Sequence, residues 1–127
     1  MNNVASILLL AFLALTFLQS GYEKIFYWND NVTWLKEHFA KTPLKNQVPL
    51  ALLHLLILEL ISGILCVVGG IQLLTNNGRE FGFYGAIFSC ICLLMMLFGQ
   101  RLAKDYDGAR TIVIYFIPAV MAVYWLN

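Results

Sequence analysis

Apolar residues fall into four long runs separated by short polar stretches. The first, 4–21, is broken only by Ser6, Thr16, Gln19 and Ser20, and the first charge in the chain is Glu23. The second, 48–75, contains one histidine, His54, and one acid, Glu59. The third, 81–99, and the fourth, 111–126, hold no charge. A bilayer core about 30 Å thick takes roughly 20 helical residues at about 1.5 Å each. Each run is therefore predicted to be a membrane-spanning helix. The second is long enough to tilt or to project beyond the core. The fourth is short and carries Pro118 near its middle. It is expected to be kinked, or to borrow Gly108 and Ala109 and span 109–126. No Lys or Arg precedes the first run, as one would in a signal peptide, so it is read as a retained span.

The segment between the first two runs has a pattern of its own. Asp30 or Asn31 is placed to cap a helix. Trp34, Leu35, His38 and Phe39 then share one face, and Lys36, Glu37 and Lys41 point away from it. Pro43 ends the pattern. Such spacing predicts a short amphipathic helix over about 31–42 lying in the membrane interface. Tyr22, Phe26, Tyr27 and Trp28, just before it, suit the headgroup zone. The other use of such a helix is to dock a partner or to cover a cavity among the spans. The predicted fold is all-α and integral to the membrane: one domain over 1–127, built as a four-helix transmembrane bundle with an interfacial helix in its first loop.

Composition agrees with this and removes other classes. Of 127 residues, 61% are hydrophobic and 12% charged, with a mean hydropathy of +0.77. Soluble globular chains are nearer half apolar and a quarter charged. A soluble chain this short has too little interior to hide so much apolar surface. The net charge is only +1 and no basic tract occurs, so nucleic acid is not an expected partner. The cations are unevenly placed. Lys24, Lys36, Lys41 and Lys45 lie in 22–47, and Arg101, Lys104 and Arg110 in 100–110, while Arg79 stands alone in the remaining turn. The positive-inside rule then puts loops 22–47 and 100–110 in the cytoplasm and both termini outside, in the manner of a bacterial inner-membrane protein.

Chemistry has few candidates. Glu59 lies about 16 Å along its helix from Val48, deep in a span. A carboxylate there costs several kcal/mol unless it is paired, protonated or hydrated, so it is a default candidate for proton or ligand handling. The structural alternative is pairing with Lys24, reaching inward from the end of the first span, or with Gln19. His54 points about 140° away from Glu59 on a regular helix, and it is read as a packing residue before a ligand. Cys66, Cys90 and Cys92 form no C-x-x-C pair. Cys66 and Cys90 fall at similar depth and can bond only if they face each other. No spacing of metal ligands, no phosphate-binding glycine loop and no serine-triad pattern is present. Small residues suit close helix packing in lipid: Gly21, then Gly63 with Ser62, Gly69 and Gly70, then Gly82, Gly85, Ala86 and Ser89 at four-residue spacings.

Two stretches carry a family resemblance. Gln19-Ser20-Gly21-Tyr22-Glu23-Lys24-Ile25-Phe26 closes the first span, and Gly99-Gln100-Arg101-Leu102-Ala103-Lys104-Asp105-Tyr106 closes the third. With Glu59 in the second span and the four-span layout, the chain resembles the DoxX family of small membrane proteins along essentially its whole length. The resemblance implies a four-helix transmembrane bundle. It also implies a membrane-embedded subunit or accessory of a larger complex, often redox-linked, rather than a self-sufficient enzyme. Name-giving members of the family look like membrane subunits of thiosulfate:quinone oxidoreductase. Others join complexes that handle oxidative stress, and a distant animal branch acts in assembly of membrane channels. Carried over, Gly21 and Lys24 match the first motif, Arg101 the second, and Glu59 the acidic position. Lys24 and Arg101 would then flank a cavity opening at the cytoplasmic boundary, with Glu59 deeper inside. The expected partners are other membrane subunits and the lipid bilayer, with self-association left open, and a quinone is the cofactor this resemblance admits. Two alternatives stand beside it: an assembly or structural subunit without chemistry, and a small-molecule binder using an acidic intramembrane cavity.

Overall fold

The computed structural model describes residues 4–43, 46–76 and 78–126. Five helices follow in order: α1 (Val4–Phe26), α2 (Trp28–His38), α3 (Val48–Asn76), α4 (Glu80–Leu102) and α5 (Tyr106–Leu126). All but α2 are long and apolar enough to cross a membrane. The protein is an all-α integral membrane bundle of four spans. Around the bundle the order is α1, α3, α4, α5, and the seam between α5 and α1 is the sparsest. Phe12 and Tyr115 close that seam with ring centroids 5.9 Å apart.

Helices overrun the apolar runs at five of their eight ends. α1 continues past Gly21 through Glu23 and Lys24 to Phe26. Charge ends the membrane core but does not end a helix. α5 begins at Tyr106 and so gains the length its apolar run lacks; it runs unbroken through Pro118. The loop helix is displaced from its expected bounds. It starts at Trp28 after Tyr27, with no side-chain cap, and ends at His38. Neither Asp30 nor Asn31 caps it. The Asn31 amide instead donates to the carbonyls of Tyr27 at 2.9 Å and Glu23 at 3.4 Å, both of which already accept a backbone N–H.

Packing along α3 is set by small residues. A Cβ on Gly69 would collide with the backbone of Gly82, and one on Gly85 would lie 2.9 Å from the Cys66 nitrogen. α3 and α4 therefore approach to backbone contact over two turns. Gly63 and Gly21 do the same work between α3 and α1, receiving the side chains of Leu18 and Leu60. Ala86 and Ser89 are fully buried on the same face of α4 as Gly82 and Gly85. Further along this interface, Ser62 meets Cys92 at 3.5 Å, and Cys66 meets Ser89 at 3.8 Å. The core proper is Leu10, Leu13, Phe17, Leu73, Leu93, Ala119, Ala122 and their neighbours. Leu8, Leu15, Ile64, Leu74 and Tyr124 face outward, as lipid-facing side chains do.

The α4 to α5 connection is tight. Lys104 N–H donates to Arg101 at 3.1 Å, and Asp105 N–H donates to Gln100 at 2.9 Å. This is the two-bond Schellman closure of a helix C-terminus. Its left-handed position, usually glycine, is filled by Lys104 at φ 60°. Asp105 then caps the next helix, its Oδ1 accepting from Gly108 N–H at 2.9 Å. At the opposite end of the bundle, Gln72 Oε1 accepts from Phe81 N–H at 3.2 Å. Arg79 donates there to the Trp125 carbonyl at 3.1 Å.

Candidate functional site

Two polar clusters lie at the end of the bundle where α2 sits. The first is inside it. Glu59 is fully buried at the α1 face of α3. Its Oε1 accepts a hydrogen bond from Lys24 Nζ at 3.2 Å, and its Oε2 lies 3.1 Å from the same ammonium, off the hydrogen-bond direction. Lys24 also donates to Ser20 Oγ at 2.6 Å. Side chains of a helix lean toward its N-terminus. That lean carries the Lys24 ammonium back one turn to the level of Ser20, opposite Glu59. The pair is thus enclosed by α1 and α3, and its oxygens face no cavity. Gln19, the other candidate partner, is exposed on the far side of α1. His54 is exposed on α3 and is not brought to Glu59. Arg101 is exposed too, its guanidinium 5.3 Å from the Tyr106 ring centroid. Neither Lys24, Glu59 nor Arg101 lines the two cavities described among these residues.

A cavity exists elsewhere. It is half open and holds about 550 Å³ between α2, α3 and α4, with Ile112 of α5 at its side. Leu52, Leu55, Leu94 and Met96 are among its apolar walls, and Leu35 and Phe39 of the loop helix cover it. Gln100 is the single polar side chain in the lining among the described residues. Pockets for small ligands commonly hold about 300–1,000 Å³ and combine apolar walls with a few placed polar groups.

The second cluster meets this cavity through Gln100, with His38 and Asp105 at the rim just beyond the lining. His38 Nε2 is 2.9 Å from Gln100 Oε1 and 3.6 Å from Asp105 Oδ2. Trp34 stacks on the His38 ring at a centroid distance of 4.6 Å, and Phe39 meets it edge-on at 5.0 Å. α2, α4 and the start of α5 therefore converge on one histidine. Gly108 makes room for the convergence. A Cβ there would fall 2.7 Å from Asp105 Oδ2 and 2.8 Å from the Gln100 amide nitrogen.

Sequence reasoning placed His38 on the apolar face of the loop helix and gave Gln100 and Asp105 no role. Only the face itself was a signal: a histidine between Leu35 and Phe39 on a helix that covers something. Cys66 and Cys90 do not face each other, because Cys66 turns to Ser89 while Cys90 is half-buried one position on. Among the described residues, no group of three or more His, Cys, Asp and Glu side chains could hold a metal ion. No known protein family, curated protein or solved structure was found to match the chain.

Proposed function

We propose that this chain is a membrane-embedded subunit that binds a hydrophobic ligand of the quinone kind beneath α2. In this reading it acts as an accessory of a membrane redox complex, not as an enzyme alone. The observation that carries the proposal is the apolar cavity of about 550 Å³ with a His38, Gln100 and Asp105 rim. An isoprenoid ring compound needs that combination: apolar walls for the tail and a few hydrogen-bonding groups for the ring oxygens. The resemblance of the 19–26 and 99–106 stretches to DoxX proteins supports the redox context and the partner subunits. Lys24 and Glu59, by contrast, serve as a clamp between α1 and α3.

The proposed setting is a bacterial inner membrane. The end of the bundle that holds α2 and the α4 to α5 turn also holds Lys36, Lys41, Arg101, Lys104 and Arg110. The positive-inside rule assigns that end to the cytoplasm, which makes the cavity open toward the cytoplasmic leaflet.

One experiment tests the core of this reading. The tagged protein is drawn from its native membrane in mild detergent, its bound lipids are extracted, and its partners are identified. The expected result is quinone recovered at near one per chain with the wild type and strongly reduced with Ala51→Phe, which fills the cavity. Equal quinone from both, or none from either, overturns the ligand assignment. Recovery without respiratory or other redox subunits overturns the accessory role.

A further inference from the structure

The rim of the cavity restricts the ligand's head, an argument that rests on reading the cavity as a ligand site. Neither Lys nor Arg lines it among the described residues. The cations nearest in the chain to His38, Gln100 and Asp105 are turned away from the cavity: Lys36, Lys41 and Lys104 are exposed, and Arg101, also exposed, lies 5.3 Å from the Tyr106 ring centroid. Among the described residues the acidic side chain at the rim is Asp105, whose Oδ2 lies 3.6 Å from His38 Nε2. A carboxylate or phosphate drawn into these apolar walls would shed its water, find no cation and lie near another carboxylate. The Gln100 amide offers N–H donors, and its oxygen, already 2.9 Å from His38 Nε2, keeps a second lone pair. That set complements a hydroxyl or a carbonyl. A quaternary ammonium fares no better, because it has no N–H to donate to Gln100 and would shed its water among apolar walls that Asp105 does not line.

We infer that the cavity selects an amphiphile with an uncharged hydrogen-bonding head, a hydroxyl or carbonyl on an apolar tail, and rejects the same tail carrying a carboxylate or a quaternary ammonium. Gln100 is the residue that sets this preference.

The test uses the full chain in phosphatidylcholine nanodiscs and a diazirine-bearing hexadecanol as photoprobe. Labelled positions are mapped by mass spectrometry. Hexadecanol, hexadecanoate at alkaline pH and hexadecyltrimethylammonium compete as three heads on one tail. Label is expected on the 91–99 wall. Hexadecanol is expected to displace it at concentrations at least about tenfold below either charged twin, since a buried unpaired charge is the costlier occupant. Gln100→Leu should keep the labelling and shrink the preference to a few-fold. Absence of label from 91–99 overturns the cavity as a ligand site, and with it the function proposed above. Label with equal competition by a charged twin leaves that site standing and overturns head selection. The wild-type competition decides this whether or not the variant folds. A folded Gln100→Leu protein with undiminished preference overturns the role given to Gln100.

Discussion

The ammonium of Lys24 straddles both carboxylate oxygens of Glu59, at 3.2 and 3.1 Å, although Lys24 belongs to the last turn of α1 and Glu59 to the middle of α3. Removing one partner of such a buried pair strands a charge and costs about 3–5 kcal/mol. Lys24→Met is therefore expected to destabilise the bundle most. Glu59→Gln should cost less, since the glutamine amide is neutral and of the same shape. The double variant should be milder than Lys24→Met alone, a non-additivity readable from thermal unfolding in detergent. Costs that simply add would show that the two side chains do not depend on each other.

Gly69 and Gly70 are neighbours with opposite prospects. A Cβ on Gly69 meets the backbone of Gly82, whereas one on Gly70 meets nothing within 4 Å. Gly69→Ala must push α3 and α4 apart and is expected to cost about 1–3 kcal/mol, as overpacking does. Gly70→Ala should be neutral or slightly stabilising. Gly82→Ala should fall between them, because its Cβ meets the flexible end of Leu10 at 2.8 Å. Thermal midpoints of the three variants, compared side by side, check the order.

Lys104 holds a left-handed conformation at φ 60° in the turn that brings Asp105 back to His38. A residue with a Cβ pays roughly 1 kcal/mol or more there, and glycine does not. Lys104→Gly is expected to raise stability modestly while preserving the turn. A loss of stability would mean that the lysine side chain contributes more than its backbone strain costs.

His38 is the point at which the loop helix meets α4 and the start of α5. His38→Ala removes the contacts to Gln100 and Asp105 and the stacking on Trp34. Faster hydrogen exchange is then expected in 28–39, with the spans unchanged. Asp105→Ala should act more widely, because it also removes the α5 cap, worth about 1 kcal/mol. Exchange in 28–39 that stays at the wild-type rate in both variants would show that Leu35 and Phe39 alone hold α2 in place.

The four spans were legible in the chain because lipid imposes a one-dimensional rule. Every backbone polar group in a span must be satisfied within its own helix, so apolar length alone reports it. Glu59 stood out for the same reason, as did Lys24 as one candidate partner, since few groups lie within reach of a carboxylate at that depth. Small residues such as Gly63, Gly82 and Gly85 also announced close helix approach. Helix ends were less legible. Hydropathy marks the edge of the membrane, whereas a helix stops where its hydrogen bonds are closed, as at Lys104 and Asp105.

What the tertiary structure decided is which polar groups meet. Ser20 joins the Lys24 and Glu59 pair, and Gln19 does not, because one residue on α1 turns the side chain about 100°. His38 is separated from Gln100 by 62 positions and from Asp105 by 67 in the pairings that form the rim. No local spacing connects them. They converge because α3 and α4 are held at backbone contact by Gly69, Gly82 and Gly85, because the six-residue Schellman turn over 100–105 brings Asp105 back to Gln100, and because α2 packs on α3 beside them. The cavity beneath them is likewise a property of packing: its walls are ordinary leucines, phenylalanines and methionines, and only their three-dimensional arrangement leaves the space between them.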